Sequence, residues 1–209
     1  MSLKRAPFYL SVLVGIIVLF HIVGFIKAER SPVAISSHAS IPNYALQNAR
    51  LYLTDKLHSR SLLHLKEAVR SIAYLRDHAD DASKKHLTTG LEALKSVERD
   101  MDAGFFYSNK LNENSVIALN ALMYFEIASA KQFIEEEKRP QAMKALAFAI
   151  EHLRNALDFA KGNKKEYEVQ IFSDINDITS NYYAEKSELI SKLDGILEEL
   201  EDLDVAYSQ

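Results

Sequence analysis

The side chains best suited to ligate a metal or to move a proton near neutral pH are 7 histidines and 29 Asp and Glu residues, and cysteine is absent. A di-iron bundle requires Glu-x-x-His pairs on facing helices, and a zinc protease requires His-Glu-x-x-His on one. The chain has neither. His64 and Glu67 form a single HxxE, and His64 falls off the apolar stripe of its helix, so the pair reads as surface residues rather than half of a metal site. Asp77, His78, Asp80 and Asp81 cluster at a helix junction, where carboxylates cap the next helix. Without the glycine of a calcium loop the cluster is read as capping.

Two buried-type polar residues are more suggestive. Glu126 sits inside the most apolar helical run; buried, it would have either a raised pKa or a cationic partner, and it could equally face solvent beside Ser129. His152 is a polar contact available to a ligand between helices. Two aromatic groups, Phe105-Phe106-Tyr107 and Tyr182-Tyr183, could form a partner-binding rim or could close the ends of a bundle. Nucleophile elbows, Walker loops and dinucleotide fingerprints are missing, and the few glycines never cluster. The expectation is a protein that is not an enzyme and uses no metal and no cofactor.

These residues must be held by helices. Ala, Leu, Glu and Lys dominate, glycine and proline are scarce, and about half the residues are apolar, which together give an all-α, globular composition. The lack of cysteine excludes a disulfide framework, a zinc-thiolate site, a thiol nucleophile and an acylated cysteine anchor. Lys4, Arg5, Lys27 and Arg30 against Glu29 make the first 30 residues basic, so the remainder carries about −7 against a net −4 for the whole chain. Acidic residues accumulate after Glu185, no basic face or recognition motif appears, and nucleic acid is excluded as a partner.

Pro7 to Ile26 carries no formal charge, and twenty helical residues span about 30 Å, the thickness of the hydrocarbon core. The reading is a cytoplasmic stub and transmembrane anchor over 1–28, with residues 7–27 in the membrane, then a flexible tether over 29–43 holding two prolines and four serines. Residues 44–209 would form an extracytoplasmic domain, periplasmic in a bacterium. A cleaved signal peptide is the competing reading; Ser37-His38-Ala39 would suit a peptidase but lies far past the apolar run. His21 is polar at membrane depth, yet close enough to Lys27 to sit at the interface. Ser11 and Gly15 make a small-xxx-small pair that could let two anchors approach.

Apolar residues at helical spacing predict about six helices beyond the tether: 44–57, 60–79, 82–103, a central one from Asn114 or Ser115 to Lys138, 140–161, and a last one from Lys165 that either continues to Leu203 or breaks near Glu185. With the chain offset by 81 positions, its two halves superpose without a gap: Ala49, Tyr52 and Leu53 fall on Ala130, Phe133 and Ile134, and Leu94 and Val97 fall on Ile175 and Ile178. This suggests duplicated three-helix units, 45–103 and 126–184, followed by an acidic helix over 185–204. The paired helices, with alanines at their close approaches, resemble tetratricopeptide-type hairpins, although the 34-residue period of that family differs from this offset. The run from Ala45 to Leu75 also resembles the small helical periplasmic YfdX-like proteins.

The functional expectation is a membrane-anchored helical module that binds another protein or itself. The alternative is a bundle that senses a metal or small molecule in a pocket between the two units.

Overall fold

The computed structural model describes residues 38–160 and 164–207, and among these it contains helices and no strand. The seven helices are α1 Ile41–Thr54, α2 His58–His78, α3 Asp81–Asp102, α4 Ser108–Glu135, α5 Arg139–Phe159, α6 Lys164–Ser180 and α7 Lys186–Tyr207. The expected anchor, with Pro7, Gly15, His21 and Ile26, lies outside the described residues. None of the helices described is long and apolar enough to cross a membrane.

The helix α4 is the axis of the fold. Its 28 residues extend about 42 Å, and from Leu119 to Ile127 every side chain is buried. It packs against α3, α5, α7 and α1. The apolar stripe of α3 (Leu87, Leu91, Leu94) is buried beside it, and that of α2 (Leu65, Ile72, Leu75) is buried between α1 and α3. A second cluster joins Met123, Ile127, Ala130 and Ile134 of α4 to Leu146 and Leu153 of α5, Ile171 and Ile175 of α6, and Leu193 and Ile196 of α7.

Two boundaries differ from the sequence reading, and one alternative that it left open is decided. The tether was expected to run to Asn43, but the helix begins at Ile41, with Pro42 in the first turn, where no amide donor is needed. Ala39 and Asn43 are buried, and the Ser71 hydroxyl donates to the His38 carbonyl at 3.0 Å, so residues 38–43 belong to the packed domain. The central helix starts at Ser108, ahead of the expected Asn114, because Leu111 already packs into the core. The last helical run is two helices, α6 and α7, separated by a turn over 181–185. At the α2–α3 junction Asp80 is the cap, its carboxylate accepting from the amides of Ala82 and Ser83 at 3.0 Å.

Two helix stops that lie 81 positions apart share one backbone geometry. After α1, Lys56 N–H donates to the Leu53 carbonyl and Leu57 N–H to that of Tyr52; after α4, Glu137 donates to Ile134 and Lys138 to Phe133, all at 2.7–3.1 Å. Each is a Schellman stop, and the equivalent residues Lys56 and Glu137 both sit at φ 60°. Left-handed backbone crowds a Cβ, and the same stop after α3 uses Gly104. Replacing Lys56 or Glu137 with glycine should therefore stabilise the chain by about 1 kcal/mol each, less the entropy glycine gains on unfolding. Urea unfolding of the single and double variants measures this, and a midpoint unchanged or lowered in both would refute it.

Candidate functional site

Glu126 lies where the sequence placed it, within the apolar run of α4, and it is buried with Oε1 lacking a hydrogen-bond partner. Burial pushes its carboxyl up to about 8, against a weaker opposing pull from the Lys144 ammonium on α5. At neutral pH this side chain is mostly a neutral acid. Ala45, 81 positions earlier in the chain, is buried on the inner face of α1.

His152 of α5 is fully buried as well. Its Nδ1 lies 2.9 Å from Asn43 Oδ1 on α1, which makes Nδ1 the protonated nitrogen, since an amide oxygen can only accept. Nε2 has no partner. Burial brings its pKa down to about 3, so the imidazole is neutral through the physiological range. Two further links extend this seam between α1 and α5: Gln47 donates to Asn155, and Arg50 donates to the Asp158 carbonyl at 2.8 Å while lying over the Phe159 ring. Sequence spacing gave no sign of the seam, because its partners stand more than half the chain apart. The stack of His86 on Tyr124, centroids 3.7 Å apart, was missed because its two residues lie on different helices.

The aromatic groups lie beside helix-connecting turns. Phe106 stacks on His58 at 4.0 Å, which places the α3–α4 turn against the start of α2. Phe105 and Tyr107 are left 55% and 57% exposed, their rings parallel at 6.2 Å. An open cavity of about 660 Å³ is lined by Phe106, Tyr107, Ser108, Asn109, Lys110, Glu113 and Asn114. Lys110 is held by Asp100 at 2.7 Å, and Asn114 donates to the Lys110 carbonyl. Neither Glu126 nor His152 borders this cavity. In the other group, Arg139 at the start of α5 donates to the carbonyls of Tyr182 and Ala184, fixing the α6–α7 turn with Tyr183 91% exposed.

The structure thus brings Phe105, Phe106 and Tyr107 together at one turn and Tyr182 with Tyr183 at another, while Glu126 and His152 are core residues. The polar clusters resolve as local structure: His64 pairs with Glu67 at the surface, Arg76 with Asp77, and His78 with the Tyr74 carbonyl. Among the described residues no three His, Asp or Glu side chains converge on a point that could hold a metal ion. A scan against protein-family models, a search of curated proteins and a search of solved structures each found no match to this chain.

Proposed function

We propose that this chain is a membrane-tethered helical module without enzymatic activity, which binds another protein, or a further copy of itself, at the extracytoplasmic face. The observation that carries the reading is the exposed ring pair Phe105 and Tyr107 at the α3–α4 turn, beside the cavity that Tyr107 and Phe106 line. Exposed aromatic side chains rimmed by polar groups are typical anchors of protein interfaces. The chain makes an internal comparison possible. We read it as two equivalent units that share α4: α1, α2, α3 and the first half of α4, then its second half, α5, α6 and α7. The matching Schellman stops and the matching buried positions Ala49 and Ala130, Leu65 and Leu146, Ile72 and Leu153 support that reading. Opposite Phe105-Phe106-Tyr107 the second unit has Lys186-Ser187-Glu188 at the start of α7, and its own rings, Tyr182 and Tyr183, stand in the turn before it.

Two measurements test the proposal. Affinity capture with the full-length chain should recover a partner that Phe105→Ala with Tyr107→Ala loses, while circular dichroism of the variant stays fully helical. The full chain should remain with membranes after an alkaline wash, whereas a chain beginning at His38 should be released and still fold. Retention of the partner by the double variant, or release of the full chain, counts against it. The alternative, a sensing bundle, draws on the unpartnered Glu126 Oε1 and His152 Nε2. It requires a small molecule or metal that raises the melting temperature, and a shift lost in Glu126→Gln.

A further inference from the structure

Several rings of this fold have their faces covered by cations of the same chain. Arg60 lies over Tyr52, Arg50 over Phe159 and Arg154 over Phe172, each guanidinium carbon 5.0–5.7 Å from the ring centroid, and the Lys144 ammonium stands 5.8 Å from that of Phe148. A cation is drawn to the electron-rich face of an aromatic ring, and the flat guanidinium also stacks on it. At the α3–α4 turn the rings are present without the cation. Phe106 is covered by the His58 ring. Phe105 and Tyr107 on either side of it stand more than half exposed with parallel rings, and among the described residues no Arg or Lys lies over them.

Charge beside the rings favours one sign of partner. Glu113 lines the cavity together with Tyr107, is exposed, and joins none of the ion pairs among the described residues. The ammonium in the same cavity, that of Lys110, is already neutralised by Asp100 at 2.7 Å. The start of α4 adds about half a positive charge, and the end of α3, across the same turn, adds about half a negative one, so the two helix ends offset each other. What remains is the carboxylate of Glu113 beside two open ring faces. A neutral or acidic group docked there would bury that carboxylate unpaired, whereas a guanidinium can lie on a ring and fork to the carboxylate at once. We propose that the aromatic turn receives an arginine side chain of the partner protein, its guanidinium stacked on Tyr107 and paired with Glu113. The inference deepens the interaction reading and rests on it, naming the chemistry that the partner presents.

The probe is a capped glycine–arginine–glycine peptide, titrated into the full-length chain in detergent micelles with its Phe and Tyr rings isotope-labelled for NMR. Phe105→Ala and Tyr107→Ala assign the two ring signals. The arginine peptide should shift both, and citrulline in place of arginine, which keeps the shape without the charge, should abolish the shift. Glu113→Gln should weaken the response by about fivefold, the upper worth of an exposed ion pair, while circular dichroism stays unchanged. No shift with the arginine peptide overturns the inference. An equal shift with citrulline overturns it by reducing the rings to a neutral contact, and a larger shift with a glutamate peptide does so by making the start of α4 a seat for anions. An undiminished response in Glu113→Gln removes the ion pair and sinks it too. Capture of a protein through Phe105 and Tyr107 reads the broader proposal without reference to arginine, so the two can fail separately.

Discussion

Glu126→Gln is expected to be more stable than the native chain at pH 7.5 by about 2–4 kcal/mol, an advantage that disappears near pH 4.5. The reasoning follows the proton. In the unfolded chain the carboxyl titrates at its ordinary 4.5, and in the fold burial holds it at about 8. Between those values the native state binds a proton that the unfolded state has released, so stability falls as pH rises, by up to about 1.4 kcal/mol per pH unit. Glutamine keeps the shape and cannot ionise. His152 contributes the opposite limb. Its folded value of about 3 lies below the ordinary 6.5, so the unfolded state binds the extra proton, and stability is lost as pH falls through that window. The native chain should therefore show a plateau between about pH 4.5 and 6.5, where the two slopes oppose, with losses on either side. Urea unfolding across pH 3 to 9 reads both limbs. An alkaline limb that survives unchanged in Glu126→Gln would show that the buried carboxyl is not its source.

The second large effect is expected at Gly90. A glycine inside a helix costs about 1 kcal/mol relative to alanine, so Gly90→Ala would stabilise α3 if helical propensity decided the matter. Packing decides it instead. The new Cβ would meet the Ala118 Cα at 2.9 Å, and that atom is backbone, which yields only if α3 and α4 move apart. Overpacking of this sort costs about 1–3 kcal/mol, so Gly90→Ala should be net destabilising and Gly90→Leu more severely so. Thermal denaturation of both variants distinguishes the two effects, and a Gly90→Ala chain that melts higher than the native one would rule out the close approach.

Gly90 also marks what the sequence could not reveal. The stripes of α2, α3 and α5 were legible because every turn of an amphipathic helix repeats the same signal, as Leu65 and Ile72 do. For Glu126 the apolar neighbours allowed burial, but a solvent-facing position beside Ser129 fitted the spacing equally, and the packing decides between them. Contacts between distant residues carry no such local signature: nothing near Asn43 announces His152, and nothing near Gly90 announces Ala118. Boundaries failed where one residue type serves two purposes. Pro42 was read as the end of a tether, yet proline is equally at home in a helix's first turn, and only the burial of Ala39 and Asn43 separates the two. The aromatic turn was placed correctly as a boundary, but whether its rings point inward or outward depends on His58, which takes Phe106 and leaves Phe105 and Tyr107 outside.

Chains built from stacked units commonly melt piecemeal, since each unit touches only its neighbours. Here α4 carries α1, α3, α5 and α7 on its sides, and its middle, from Leu119 to Ile127, is buried on every face. Neither half can be peeled away without uncovering that helix for the other. A common axis of this kind makes the helices around it one cooperative body, which is expected to lose its order all together or keep it.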